Sequence, residues 1–360
     1  MKQRVFWWVA ALIVIVLVSF SIADSNKYRG NEISIGVIIP LSGNVASLGE
    51  KLKRGIDLAV EDFSGKNVRF IFEDGGIEPK TALAAYHKIA TANDVKIFIG
   101  PFGPDQIMAL APVLKKDAVL LGVTLCDDMF KPYPQIFCTY PSIPDQTESG
   151  IRAVRDSGVK KLGSIIQIGP TGDVVRSELQ KQQANGDYSL VFEDRMNLGD
   201  RDFRTLVTKV RASGAEGVYM ASLPNEGYIL LKQLYDLRFN SPIFAVFDAT
   251  DEGLAQLGPA AEGVYLPGHI SPVFESDFTS QYKETYEQEP DLYSALGYSI
   301  AVTLIEGLKD NQFKLEGLKE KLIEKQNPTA IMGFKFREDR TVSVPVESLI
   351  FKNGKIQEME

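Results

Sequence analysis

From Ile33 to Leu266 the sequence repeats one unit: a short apolar run, a turn, then an amphipathic stretch at helical spacing. The first copy is Ile33-Ser34-Ile35-Gly36-Val37-Ile38-Ile39-Pro40-Leu41-Ser42-Gly43, followed at once by a helical pattern from Ser47 to Phe63. Continuous β-branched runs mark strands covered by helices on both faces. Strands alternating with helices imply βαβ units and open, mainly parallel sheets. Such sheets place ligands beyond the carboxyl ends of their strands, so function is sought in the turns that follow each apolar run.

The pattern predicts strands at Val68–Phe72, Lys96–Gly100, Val119–Val123, Ile136–Cys138, Leu162–Ile168, Tyr188–Phe192, Val218–Ala221, Ile243–Phe247 and Val264–Leu266, and helices at Pro79–Thr91, Asp105–Leu114, Asp145–Ser157, Gly172–Asn185, Phe203–Ser213 and Glu226–Leu237. Ser47 and Glu50 form a capping-box pattern for the first helix. A proline-rich stretch from Lys131 to Pro144 reads as a crossing between two α/β halves. After Pro267-Gly268 the alternation gives way to helical segments at Phe274–Glu287, Ser294–Gly307 and Leu315–Glu324. The end reads as antiparallel strands, with Asn353-Gly354 as a hairpin turn.

The chain has 360 residues, 44% hydrophobic and 24% charged, ordinary values for a large globular core. Its formal charge of −8 offers no electrostatic footprint for nucleic acid. Two histidines, His87 and His269, cannot build a His-rich metal site. Two cysteines, Cys126 and Cys138, fit no zinc spacing. A single disulfide suits an oxidising compartment, but two buried thiols are the preferred reading. No metal or cofactor is expected.

Lys2 and Arg4 precede an uncharged apolar run from Val5 to Ala23, near the roughly 20 residues that span a bilayer. Ser21-Ile22-Ala23 has the small residues a signal peptidase reads. Two readings stand for residues 1–23: a cleaved signal peptide, or an uncleaved transmembrane anchor with its basic end in the cytoplasm. Both place the folded body outside the cytoplasm, in the periplasm or at the cell surface. Asp24–Asn31 reads as a linker.

Several motifs, in this order, resemble one family. They are Pro40-Leu41-Ser42-Gly43 with Leu48-Gly49; Gly55-x-x-Leu58-Ala59-Val60; Glu73-Asp74 before Pro79-x-x-Ala82; and Ile99-Gly100-Pro101 leading to Ala109-x-Ala111-Pro112-Val113. Asp202-Phe203, Ala261-Glu262-Gly263-Val264 and Tyr298 continue the series. Together they are similar to type I periplasmic solute-binding proteins, the leucine/isoleucine/valine-binding receptors of ABC transporters. The resemblance implies two lobes, each a mainly parallel sheet flanked by helices, joined by three crossings. It places lobe 1 at 32–141 plus 268–328 and lobe 2 at 142–267 plus 329–360. It also implies a small-molecule solute in the cleft, hinge closure, and an ABC permease as partner.

The ligand-binding candidates follow from the same comparison. Phe102, Gly103 and Asp105 lie after the third strand, at a helix start whose N–H groups suit an anion. Gly103 and Pro104 stand where relatives carry a carboxylate-gripping serine, and Asp105 itself would repel an anion or simply cap its helix. Cys126, with Thr124 beside it, stands where relatives carry a threonine. Thr171 and Asn225 fall near two second-lobe tyrosines of the family, and Glu226 reads as a helix cap. Asp248 occupies the place of the acidic residue that pairs the ligand ammonium. Leu48 and Phe102 are expected apolar walls. The implied solute is a small polar molecule, an amino acid or a related amine-bearing compound. A membrane-anchored sensory ectodomain of the same fold is the alternative. Enzyme motifs are missing: there is no Gly-x-Ser-x-Gly, no strand-linked Gly-x-Gly-x-x-Gly and no P-loop lysine.

Overall fold

A computed structural model describes residues 32–43, 45–64, 68–125, 128–247, 249–269, 277–324 and 331–359. The expected export segment 1–23, the expected linker 24–31, Cys126 and Asp248 lie outside the described residues. No described helix is long and apolar enough to cross a membrane.

The first sheet holds β1 (Ile33–Ile39), β2 (Val68–Asp74), β3 (Ile97–Phe102), β4 (Val119–Leu125) and β5 (Ile136–Tyr140) in the order β2-β1-β3-β4-β5, all parallel. Helices α1 (Ala46–Ala59), α2 (Pro79–Asn93) and α3 (Pro104–Leu110) connect the first four strands. Ile35, Val37 and Ile39 of β1 pack on one face, against α1, while Ile38 packs with α2 and α3 residues on the other. That split is the period-2 alternation of a strand buried on both sides.

The chain then enters α4 (Ile143–Asp156) and a second sheet. Its parallel part comprises β6 (Lys161–Gln167), β7 (Ser189–Met196), β8 (Gly217–Ala221), β9 (Ile243–Val246) and β10 (Tyr265–His269). Between them run α5 (Pro170–Gln183), α6 (Arg204–Ala212), α7 (Pro224–Asp236) and a short α8 (Asp251–Ala255) that the periodicity missed. After β10 the chain returns to the first core through α9 (Asp277–Tyr286), α10 (Leu292–Asp310) and α11 (Leu318–Glu324), whose Phe278, Leu296 and Leu318 belong to it. The pair β11 (Lys335–Phe336) and β12 (Val342–Ser343) is followed by β13 (Glu347–Lys352) and β14 (Lys355–Glu358). β13 and β14 extend the second sheet, giving the order β14-β13-β10-β9-β8-β6-β7. Thus the chain passes between the two units three times, as a two-lobed binding-protein fold requires. Asn353 and Gly354 both have positive φ, 55° and 81°, which suits the tight turn between β13 and β14.

The C-terminal segment departs from expectation. The resemblance assigns residues 329–360 to the second lobe, but Phe334, Phe336, Val342, Val344 and Val346 pack in the first core. Phe336 meets Phe137 edge-on at 5.0 Å, and the Cys138 amide donates to the Arg340 carbonyl at 3.1 Å. Only from Glu347 does the chain join the second sheet. Apolar alternation cannot tell which of two cores a strand joins. The expected capping box also fails: α1 begins at Ala46, so Ser47 is already helical and Val45 caps without a side-chain bond. Cys138 is disulfide-bonded, which overturns the preference for two thiols.

Helices α1 and α10 cross closely because each offers a glycine to the other. A Cβ on Gly55 would lie 1.9 Å from the Ser294 carbonyl oxygen, and one on Gly297 would lie 2.1 Å from that of Leu52. Backbone cannot yield as a side chain does. Gly55→Ala should therefore lower the unfolding free energy by about 1–3 kcal/mol in urea titration with an unchanged slope. Unaltered stability would show that the helices separate without cost.

Candidate functional site

Both sheets change strand order at a defined point: between β1 and β3 in the first, between β6 and β8 in the second. Open α/β sheets bind ligands outside the carboxyl ends of strands at such switch points. The loops there are fastened to one another. In the first lobe Asp74, at the end of β2, accepts from the Leu41 amide at 2.9 Å and the Ser42 hydroxyl at 2.5 Å. Gln106, 1% exposed, donates to the Gly75 and Gly76 carbonyls and accepts from the Phe102 amide, each at 3.1 Å. The Gly103 amide donates to Val123 O at 3.0 Å, tying the turn after β3 to β4.

This wiring alters the expected anion site. Of the amides in the turn after β3, those of Phe102 and Gly103 are consumed and Pro104 has none. Only the amides of Asp105 and Gln106 remain to face a ligand, on a helix of just 7 residues. Asp105 does not cap α3; Gly103 is the N-cap, at φ 95°. The Asp105 side chain is exposed and has no partner among the described residues. Phe102 is half-buried beside Tyr293 of α10, ring centres 5.8 Å apart, and Leu48 is half-buried in the first turn of α1. Thr124, near the end of β4, is 5% exposed, and its hydroxyl is buried without a partner.

In the second lobe the first turns of α7 organise the edge. The Leu223 amide donates to Gln167 at the end of β6 (2.8 Å), and the Gly199 amide, after β7, donates to Glu226 Oε1 (2.8 Å). The Thr250 amide, after β9, donates to the Tyr228 hydroxyl at 3.1 Å. Gln233 accepts from the Phe203 amide and donates to the Arg201 carbonyl. Glu226 is 5% exposed, and its other oxygen, Oε2, is buried with no partner; so is the Ser222 hydroxyl. The helix-cap reading of Glu226 thus missed its role, since a single sequence does not reveal which carboxylate folding will enclose. Thr171 and Asn225 are exposed in the first turns of α5 and α7. Four large apolar residues just beyond β2, β6, β7 and β8 are exposed as well: Ile77, Ile168, Leu198 and Leu223.

The structure therefore brings Leu48, Phe102, Gly103, Asp105 and Thr124 to one edge of the first sheet, and Thr171 and Asn225 to the equivalent edge of the second. A cavity of about 300 Å³ lined by Arg201, Asp202, Arg204, Gln233, Asp236 and Leu237 lies two to three turns along α7 from Glu226. Its Asp202 pairs with Arg204 and its Asp236 with Lys232, so it offers no unmet charge of either acid. No group of His, Cys, Asp and Glu able to hold a metal occurs among the described residues.

Residues 32–348 match the periplasmic binding protein family. The chain belongs to that family. It is 30% identical over 215 residues to Leu/Ile/Val-binding protein homolog 3 of Brucella melitensis, covering 57% of this chain and 58% of that protein. The isoleucine complex of the LivJ binding protein of Streptococcus pneumoniae shares its fold at TM-score 0.76 and 20% identity, covering 91% and 98% of the chains. The benzoate complex of an ABC-transporter solute-binding protein of R. palustris does so at TM-score 0.72 and 19% identity, covering 91% and 95%. A member of this family is a solute-binding protein, not an enzyme, and the family points to an extracytoplasmic location.

Asp74 makes the edge sensitive to acid. The Ser42 hydroxyl, and then the Leu41 amide, hold its carboxyl below the usual carboxylate range. A depressed folded-state pKa stabilises above the unfolded value, and the contribution is lost as pH falls through the folded one. Asp74→Ala should thus be less stable than wild type at neutral pH, and the gap should close below about pH 4 in acid unfolding. A gap independent of pH would contradict the charge-assisted bonds.

Proposed function

We propose that this protein captures a small polar solute between its lobes, closes on it by hinge rotation, and delivers it to the permease of an ABC importer. The first lobe is assigned to 32–141, 277–324 and 331–346, and the second to 143–269 and 347–359. The observation that carries the reading is the set of polar atoms buried without partners. Three of the five among the described residues, on Thr124, Ser222 and Glu226, sit at the carboxyl edges of the two sheets. An unmet buried polar group costs roughly 1–3 kcal/mol, so such groups call for a partner from outside the chain. Ile77, Ile168, Leu198 and Leu223 supply exposed apolar surface in the turns after β2, β6, β7 and β8. Relatives whose bound solutes are isoleucine or benzoate use the same fold for small molecules.

In this reading Thr124 gives the solute a hydrogen bond, Leu48 and Phe102 form a wall, and Asp248 pairs a ligand ammonium. Gly103, Asp105, Thr171, Asn225 and Cys126 complete the border. Native mass spectrometry of the protein purified without denaturation should show a bound small molecule, and calorimetry with that molecule then tests residues singly. Thr124→Val keeps the shape and removes an unpartnered hydroxyl. It should leave the thermal midpoint unchanged or raised while weakening solute binding about tenfold, or ~1.4 kcal/mol. Equal affinity would place that hydroxyl outside the site. Asp248→Ala should abolish the ligand-induced thermal shift with the fold retained; an intact shift would remove Asp248 from the site.

A further inference from the structure

The solute-capture reading gives the solute an amine but leaves its net charge open, and the two edges are unequal in what they offer. In the first lobe the amides of Phe102 and Gly103 are taken, Pro104 has none, and α3 is short. A carboxylate finds little there, and the partnerless Asp105 opposes it. The turns 40–45, 103, 126–127, 168–169, 222–223 and 247–250 contain no lysine or arginine.

The second lobe offers the opposite chemistry. Glu226 holds the loop after β7 with Oε1 alone, while Oε2 is enclosed with no donor. Ser222, one residue past β8, has a buried hydroxyl that is also unpartnered. Gly227 lets Ser222 and the loop after β9 pack closely on α7: a Cβ there would lie 2.9 Å from Ser222 Oγ and 2.7 Å from the Phe247 ring. Phe247 meets Tyr228 edge-on at 5.1 Å. A buried carboxylate with one oxygen unmet is a receptor for a cationic nitrogen.

We propose that the free oxygen of Glu226, at the β6/β8 switch point, takes a protonated nitrogen, so that the preferred solute is an organic cation rather than a carboxylate. The proposal rests on the solute-capture reading and gives that site its chemical class. The structural role of Glu226, through Gly199, uses one oxygen only. Glu226→Gln keeps an acceptor for Gly199 and replaces the other oxygen with a donor, which separates the two roles.

The test uses the full chain and probes that differ in their charged group: 3-methylbutylamine, 1,4-diaminobutane, L-leucine and 4-methylpentanoate. Thermal shift and calorimetry at neutral pH should show binding of at least one of the two amines in preference to 4-methylpentanoate. Glu226→Gln should weaken amine binding at least tenfold with the probe-free midpoint unchanged or raised, and Ser222→Ala should weaken it less. Amine affinity within twofold of wild type in Glu226→Gln overturns the assignment, as does a preference for 4-methylpentanoate. Those results leave solute capture standing. If no amine binds, the assignment is also overturned, and the native-mass measurement decides solute capture on its own.

Discussion

Where a parallel strand ends, its last peptide groups lose their ladder partners and must find others, and in this protein single side chains supply them across neighbouring loops. Asp74 and Gln106 do so in the first lobe, and Gln167, Glu226, Tyr228 and Gln233 in the second. The shape of the ligand-facing edges depends on these few bonds. Each edge is thereby fixed before any solute arrives, so affinity is not spent on ordering loops. The groups left over after this wiring, on Thr124, Ser222 and Glu226, are the ones with chemistry to offer.

Under the proposed function, the motion then lies between the lobes. Next to the passage at 141–142, Arg337 of the β11–β12 hairpin grips Asp145 of α4 with bonds of 2.8 and 3.2 Å. Arg152 of α4 donates to the Val346 carbonyl on the neighbouring passage at 3.0 Å, and Ser149 meets Ser348 at 3.1 Å. These contacts bind two passages into one short hinge region. Polar contacts of this kind, partly open to solvent, rearrange at small cost, whereas the packed cores on either side do not.

The alternation of apolar runs and amphipathic segments was enough to read the α/β class, the two lobes and nearly all strands, because strands such as β1 and β8 are buried on both faces. Boundaries shifted where capping, not hydrophobicity, decides: Ser142 caps α4 ahead of the expected Asp145, and α1 starts without the Ser47 box. The short α8 and β14 carry too few apolar positions to show a period. The site was legible as an address, the loops after particular strands, but not as a set of partners. Gln106 and Glu226 look like ordinary polar residues in helical first turns until folding encloses them among carbonyls and amides from loops far away in sequence. That the Phe102 and Gly103 amides are consumed is likewise a fact of tertiary contact, invisible in the spacing Phe102-Gly103-Pro104-Asp105.

Under the proposed function, two preformed halves swing together around a guest. Small-angle X-ray scattering tests it most directly, with the solute recovered from natively purified protein returned to protein that was unfolded, dialysed free of it and refolded. Closure should give a smaller radius of gyration with unchanged secondary structure on saturation. A radius that stays constant while calorimetry shows full binding would contradict closure.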